Sequence, residues 1–82
     1  MNEYFGIGKV IRKENFKFVL NKNHKSRIAM TIKLIDANEV QIVAYDEKAD
    51  CCYRKLKKND FIYLNGRLNN GYEVELDNIS YI

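Results

Sequence analysis

The sequence has no tryptophan and no long apolar segment, and it holds two cysteines and one histidine among 82 residues. No window of about 18 apolar residues occurs, which excludes an ordinary membrane-spanning helix. The start, Met1-Asn2-Glu3, lacks the basic and apolar stretches of a secretory signal. We therefore expect an intracellular protein without a membrane partner, cytoplasmic or in an organelle stroma or matrix of bacterial descent.

The two cysteines are neighbours in the chain. Adjacent Cα atoms lie about 3.8 Å apart, whereas a relaxed disulfide needs about 4.4–6.8 Å, so Cys51 and Cys52 do not bridge each other. Free thiols agree with a reducing compartment. Because His24 is the sole histidine and no Cys-x-x-Cys motif occurs, a zinc site lacks ligands and a Cys-His nucleophile pair lacks a local pattern. We expect no catalysis and no cofactor.

The chain is long enough for one domain, residues 1–82, with one hydrophobic core. A core of this size removes only about 60–65% of the unfolded surface from water, which leaves modest stability. Association with a second copy is therefore expected, and a homodimer is favoured.

The net charge of +3 conceals an uneven distribution. Residues 1–35 carry eight basic side chains against two acidic ones, a net charge of +6, whereas residues 36–82 carry six against nine, a net charge of −3. A contiguous basic surface in the first half suits a phosphate backbone, with strongly salt-dependent binding. The same charges also fit a solvated face that protects strand edges.

Apolar and polar residues alternate in five segments, as is typical of strands with one buried face. The segments are residues 4–12, 27–35, 40–45, 61–68 and 72–76, the last extended by residues 78–82. Residues 16–20 fit a continuation of the first strand. Gly6 and Gly8 predict a bulge or the close approach of another backbone, and the Asn70-Gly71 step predicts a tight hairpin.

One segment has helical periodicity instead. Within residues 46–58, Ala49, Cys52, Tyr53 and Leu56 follow the i, i+3, i+4, i+7 spacing of a buried helix stripe. Asp46 is the expected N-cap, and the basic residues near the end suit the helix dipole.

Three strands, one helix and two further strands predict an all-β fold with small helical content. The architecture expected is a five-stranded Greek-key OB barrel with the helix between the third and fourth strands. An SH3-like barrel does not place a three-turn helix there, and a ferredoxin-like fold needs two helices.

Three segments resemble the bacterial single-stranded DNA-binding proteins and the related primosomal replication protein of the same superfamily. They are residues 7–10 (IGKV), residues 43–46 (VAYD) leading into Lys48 and Ala49, and residues 56–68 (LKKNDFIYLNGRL). The last is the most specific, because its basic pair, turn, tyrosine and Gly-Arg-Leu ending fall at family spacing. The resemblance implies an OB barrel that stacks bases on aromatic rings and contacts phosphates with Lys and Arg.

The resemblance also implies roles for particular residues. Tyr45 matches a base-stacking aromatic of the third strand, and Lys58 matches a basic residue after the helix. Arg67 follows the family's glycine, and Tyr72 lies about one position from a stacking aromatic of the last hairpin. Where the family often has tryptophan this chain has Glu39, whose carboxylate repels phosphates.

Further candidate contacts come from the basic first half and from the strand of Tyr45. They are Lys9, Arg12, Lys17, Phe18, Arg27, Lys33 and Gln41. Tyr45 and Tyr72 also fit simple packing roles, and His24, in a polar turn, is assigned no role.

These features favour a non-catalytic protein that binds single-stranded DNA with little sequence preference. Replication, recombination or repair is the expected setting, with proteins of those processes as further partners. Two alternatives stay open: an RNA-binding OB protein, and an OB subunit of a larger assembly whose sheet face is covered by protein.

Overall fold

The computed structural model describes residues 3–14, 17–18, 23–69 and 73–82. In chain order they form β1 (Glu3–Lys13), β2 (Lys17–Phe18), β3 (Ser26–Leu34), β4 (Glu39–Tyr45), α1 (Asp46–Lys55), β5 (Phe61–Leu68) and β6 (Val74–Tyr81). The helix follows the third long strand, as the alternation patterns predict. The predicted Asn-Gly hairpin step at residues 70–71, and residues 16, 19 and 20 of the expected strand continuation, lie outside the described residues.

The strands close into a barrel. Their order is β1-β5-β6-β4-β3-β2, and an additional pairing of β1 with β3 completes the ring of the five long strands. The pairing of β4 with β6 is parallel, and the other pairings are antiparallel. A closed five-stranded barrel with one helix after the third long strand is the OB architecture, so the predicted fold class is confirmed.

Strand β1 closes the barrel by pairing with two strands, β5 and β3, and it can do so because it bends. Its residues 3–9 pair with β5, its residues 8–13 pair with β3, and a bulge falls between Val10 and Arg12. At the crossing, a Cβ atom on Gly8 would lie 2.5 Å from the carbonyl oxygen of Lys33. The glycine is therefore required for close backbone approach, which the sequence predicts as one of two options.

The core fills the barrel with alternate residues of the strands. Ile28, Met30, Ile32 and Ile42 are at most 1% exposed. Each such side chain contributes about 1.5–3 kcal/mol when it leaves water. This inward parity points the intervening residues of β3 and β4 to the outer side of the barrel, where Thr31 and Val43 are nevertheless buried.

Helix α1 covers one end of this core. Ala49, Cys52 and Leu56 are buried, and desolvation raises the pKa of the Cys52 thiol to about 11. Tyr53 is 53% exposed, so its predicted packing role in the stripe is wrong. No helix among the residues described is long and apolar enough to cross a membrane.

Both ends of α1 differ from expectation. Tyr45 is the N-cap residue and makes no side-chain capping hydrogen bond, whereas Asp46, the expected cap, is the first residue of the helix and has a φ of 55°. The helix ends at Lys55, and Lys13 of β1 donates from Nζ to the carbonyl oxygens of Tyr53 (2.9 Å) and Leu56 (2.8 Å). A distant lysine therefore adds to the positive charge that Arg54 and Lys55 supply in the last turn, as predicted.

Candidate nucleic-acid interface

Strand register brings five predicted basic residues onto one outer surface of the barrel. Residues directly opposite each other in a ladder share a face, and three cross-strand rows follow from the pairing. The rows are Lys9–Lys33–Glu39, Arg12–Thr31–Gln41 and Lys17–Arg27–Tyr45. We call this surface, defined by Lys9, Arg12, Lys17, Arg27 and Lys33, the basic face.

Two of the pairs on the basic face join like charges. Lys9 lies opposite Lys33, and Lys17 lies opposite Arg27. Side chains directly opposite each other have Cβ atoms about 4.5–5.5 Å apart, and like charges at that separation destabilise the pair. An anion bound across either pair relieves this repulsion.

Most of these charges form no ion pair with a carboxylate of the described residues. Arg27 forms an ion pair with Glu73 across 3.3 Å. Within the described part of the chain, no ion pair involves Lys9, Arg12, Lys17 or Lys33. The basic face therefore keeps most of its positive charge available to a ligand.

Glu39 lies at the far end of β4 from Tyr45. The two residues are six positions apart, which is about 20 Å at about 3.3 Å per residue. Glu39 faces Lys33, whereas Tyr45 faces Arg27. The Glu39 carboxylate therefore borders one corner of the basic face, at the end far from Tyr45.

Gln41 lies in the middle of the basic face, between these ends. Its Nε2 donates to the hydroxyl oxygen of Thr31 (3.0 Å), and Thr31 as a residue is 1% exposed. This contact satisfies a buried hydroxyl and holds the Gln41 amide flat against the sheet.

At the other end, Tyr45 is stacked against a second aromatic ring. The ring centroids of Tyr45 and His24 lie 4.1 Å apart, with 16° between the planes. His24 Nδ1 lies 2.8 Å from Oδ2 of Asp46, whose Oδ1 accepts the backbone N–H groups of Lys25 (2.7 Å) and Ser26 (3.3 Å). The Lys25 N–H first, and then His24, hold the pKa of the Asp46 carboxyl below its ordinary value.

Arg67 reaches the same region from the opposite side of the barrel. It lines a groove of about 520 Å³ together with His24, Tyr45 and Lys48. Three carboxylates follow one another along this side, which we call the acidic stripe: Glu73, Glu75 and Asp77. Arg67 lies opposite Glu75 and 3.5 Å from Asp77, so its charge is largely balanced.

The remaining residues that the sequence predicts as contacts lie away from the basic face or outside the described residues. Lys58 is exposed in a turn that is bonded to β1, where the Asn59 N–H donates to the Val10 carbonyl (2.7 Å). Phe18 is 86% exposed and lies opposite the buried Ser26, on the other side of the ladder from the basic face. Tyr72 lies outside the described residues.

Sequence reasoning missed the environment of Tyr45. Arg27 pairs with Tyr45, and continuing that antiparallel register places residues 24–26 against the start of α1. The alternation of apolar and polar residues in β3 and β4 shows which residues share a face. The contact between His24 and Asp46 also depends on the register of the two strands, which is fixed only in the folded chain.

Comparison with known proteins agrees with this geometry at the level of fold. No protein-family model matches the chain, and no curated protein matches its sequence. Solved structures do match. The SSB domain of a Synechococcus sp. protein superposes with a TM-score of 0.84 at 15% identity, covering 99% of this chain and 96% of that one.

Two further structures extend the match. PriB from Ralstonia solanacearum has a TM-score of 0.82 at 6% identity and covers 100% of this chain and 99% of its own. The small single-stranded DNA-binding protein from Streptomyces coelicolor has a TM-score of 0.77 at 15% identity, covering 98% and 91%. The expected resemblance is confirmed in the backbone: the chain has the OB fold that the single-stranded DNA-binding proteins share with PriB.

Proposed function

We propose that this chain is a non-catalytic module that binds single-stranded DNA through the basic face. The main supporting observation is the presence of two like-charge cross-strand pairs, Lys9 with Lys33 and Lys17 with Arg27. A face that served only solubility would gain nothing from setting cations directly opposite each other, whereas a polyanion turns both pairs into favourable contacts.

The arrangement of aromatic and basic groups supports a single strand rather than a duplex. Stacking requires unpaired bases, and Tyr45 lies in the same cross-strand row as Lys17 and Arg27. Phosphates are bound on the basic face while a base stacks at its end. Contacts of this kind tolerate any sequence, because every base has an aromatic face. The OB structures that superpose on the chain include single-stranded DNA-binding proteins, which supports the same ligand.

The acidic stripe fixes the limits of this surface. Glu73, Glu75 and Asp77 lie just before and within β6, beside β4. These carboxylates repel a phosphate backbone. We therefore assign the bound single-stranded DNA to the outer surface of β1, β2, β3 and β4 and exclude it from β6. Because its basic and acidic side chains lie on different surfaces, the barrel offers a single path to the DNA. We place its role in replication, recombination or repair.

The outer surface of β1 and β5 is apolar, and we assign it to a second copy of the chain. Phe5 (59% exposed), Ile7 (38%), Tyr63 (41%) and Phe61 (57%) lie in neighbouring rows there. Residues 3–6 of β1 pair with β5 alone among the described strands, which leaves their other backbone edge open. A two-fold contact that buries the same patch on both copies covers the apolar side chains and this edge together.

The test is fluorescence anisotropy of labelled oligo-dT with increasing protein at low and high salt. We expect binding at micromolar protein that weakens steeply as salt is added. Absence of binding at low salt, or binding indifferent to salt, refutes the proposal. Competition with oligo-U separates the RNA-binding alternative, which predicts a strong preference for ribose.

A protein-interaction subunit is the second candidate, and the acidic stripe with the apolar patch favours it. Under that function Tyr45→Ala combined with Lys58→Glu leaves oligo-dT affinity unchanged. Under the proposed function the same pair of changes lowers the affinity, because it removes one ring of the His24–Tyr45 stack and reverses one charge.

A further inference from the structure

The ring that covers Tyr45 determines where a base can stack. Aromatic atoms in contact lie about 3.5–4.0 Å apart, so a base inserted between two rings needs them about 7 Å apart. The His24 and Tyr45 centroids are separated by 4.1 Å. The face of Tyr45 that His24 covers is therefore closed to a base, and the imidazole is the ring presented to a ligand on that side.

The imidazole is anchored from behind. Oδ2 of Asp46 holds His24 Nδ1, while Oδ1 of the same carboxylate holds the Lys25 and Ser26 N–H groups. Asp46 adopts a φ of 55°, a left-handed conformation that aspartate tolerates better than most residues. One carboxylate thereby fixes both the loop and the ring that the loop carries.

The anchored ring also faces open space. The side chain of His24 is 37% exposed and lines the groove that Tyr45, Lys48 and Arg67 border. Because His24 covers one face of Tyr45, a planar group that stacks on that side contacts the imidazole. Four carboxylates also line the groove, those of Asp46, Glu47, Glu75 and Asp77. The phosphates next to the stacked base therefore lie on the basic face and not in the groove.

We propose that His24 is the base-stacking ring at this end of the basic face, with Tyr45 as its backing and Asp46 as its positioning residue. The proposal rests on the proposed function and names the ligand group at this point as a nucleobase of single-stranded DNA. Imidazole serves as a stacking surface for unpaired bases in the same way as the larger aromatic side chains. When single-stranded DNA lies on the basic face, the base at this end thus stacks on histidine in a chain that has no tryptophan.

Affinity measurements on variants provide the first test. His24→Ala is expected to weaken oligo-dT binding by about fivefold to 150-fold, the range for loss of one stacked base. His24→Phe keeps a ring and is expected to bind within about threefold of the wild type, which shows that the ring and not the loop fold matters. Circular dichroism confirms that both variants fold.

The positioning role of Asp46 is tested by a double-mutant cycle. Asp46→Asn should weaken binding in the wild-type chain but have no effect in the His24→Phe background, because phenylalanine makes no hydrogen bond to residue 46. An equal loss in both backgrounds contradicts a role exerted through His24.

The imidazole itself gives a direct signal because the chain contains one histidine. Its carbon-bound protons form a single, assignable pair of ¹H NMR resonances. Titration with oligo-dT and with oligo-dA should shift them upfield, more for adenine, with a midpoint equal to that from anisotropy. Resonances that stay unmoved while anisotropy reports binding overturn this inference and leave the proposed function intact.

Two other outcomes are also decisive. Tighter binding by His24→Ala would mean that histidine covers the tyrosine and must be displaced, which contradicts the proposal. Failure of the wild type to bind either oligonucleotide refutes the proposed function itself, and the inference with it.

Discussion

Gly66 of β5 is a position at which a single methyl group should destabilise the whole barrel. It pairs with Leu76 at a bulge between β5 and β6. A Cβ atom there would lie 2.1 Å from the carbonyl oxygen of Glu75 and 2.9 Å from Cγ1 of Val74. Since carbon and oxygen in contact stay about 3.3 Å apart, Gly66→Ala must move the two strands apart by about 1 Å.

The cost can be worked from this overlap. Overpacking costs about 1–3 kcal/mol, and each ladder hydrogen bond lost by strand separation adds about 1 kcal/mol. We expect Gly66→Ala to lower the free energy of unfolding by about 3 kcal/mol, from a total of about 4–12 kcal/mol for a chain of this size. The corresponding fall in Tm is about 12–24 °C.

Gly6→Ala is the matched control in the same barrel. Its Cβ would meet side-chain atoms, Tyr4 Cε1 at 3.1 Å and Leu34 Cδ2 at 3.2 Å, which can move by a few tenths of an ångström. We expect a change below about 1 kcal/mol, measured like the other by urea denaturation followed with circular dichroism. Equal losses for the two variants would refute the close packing of β5 on β6 at the bulge.

Three further predictions concern the site and the apolar surface. Tyr45→Ala should weaken oligo-dT binding by about fivefold to 150-fold in anisotropy, whereas Tyr53→Ala, on the exposed side of α1, should leave it within about twofold. The pKa of the Asp46 carboxyl is lowered by its hydrogen bonds to the Lys25 N–H and to His24, so its stabilising effect is present at neutral pH and disappears as pH falls through that pKa. Asp46→Asn should therefore lower Tm at pH 7, and the difference from the wild type should close below about pH 4. Tyr63→Glu should give a monomer in sedimentation experiments under conditions in which the wild type and Tyr53→Glu form dimers.

Each of these can fail in a recognisable way. Equal losses of affinity for Tyr45→Ala and Tyr53→Ala would exclude a specific stacking site. A Tm difference for Asp46→Asn that persists unchanged to pH 3 would show that its carboxylate charge does not anchor the loop. A dimer that survives Tyr63→Glu would place the contact between copies elsewhere.

Local patterns in the sequence were sufficient to predict the barrel. Period-two alternation from Arg27 onward and the switch to helical spacing at Asp46 predict the right elements, because they record which side of each element meets the core. The ends of the helix were predicted less well. Lys13 donates to the carbonyl oxygens of Tyr53 and Leu56 at the end of α1, which are 40 and 43 residues away in sequence, and such a contact has no local signature.

The candidate site divides in the same way. Charge predicts Lys9, Lys17 and Lys33, the family resemblance predicts Tyr45, and the register places all four on one face. Parity places the neighbours Lys17 and Phe18 on opposite sides of the ladder, but only the pairing of Lys17 with Arg27 shows that the lysine lies on the basic face. The place of His24 depends on register and on the left-handed turn at Asp46, both of which are tertiary properties.

The central claim is that the basic face binds the phosphates, and the salt dependence of oligo-dT affinity tests it most directly. Two triple variants match in residue type and charge. One replaces Lys9, Arg12 and Lys33 with glutamine on the face, and the other replaces Arg54, Lys55 and Lys57 on the helix and its following turn. Each phosphate contact contributes about 0.7 to the slope of log affinity against log salt for single strands. The account predicts that the slope falls by about two for the first triple variant and stays at the wild-type value for the second, whereas equal slopes for the two variants would contradict it.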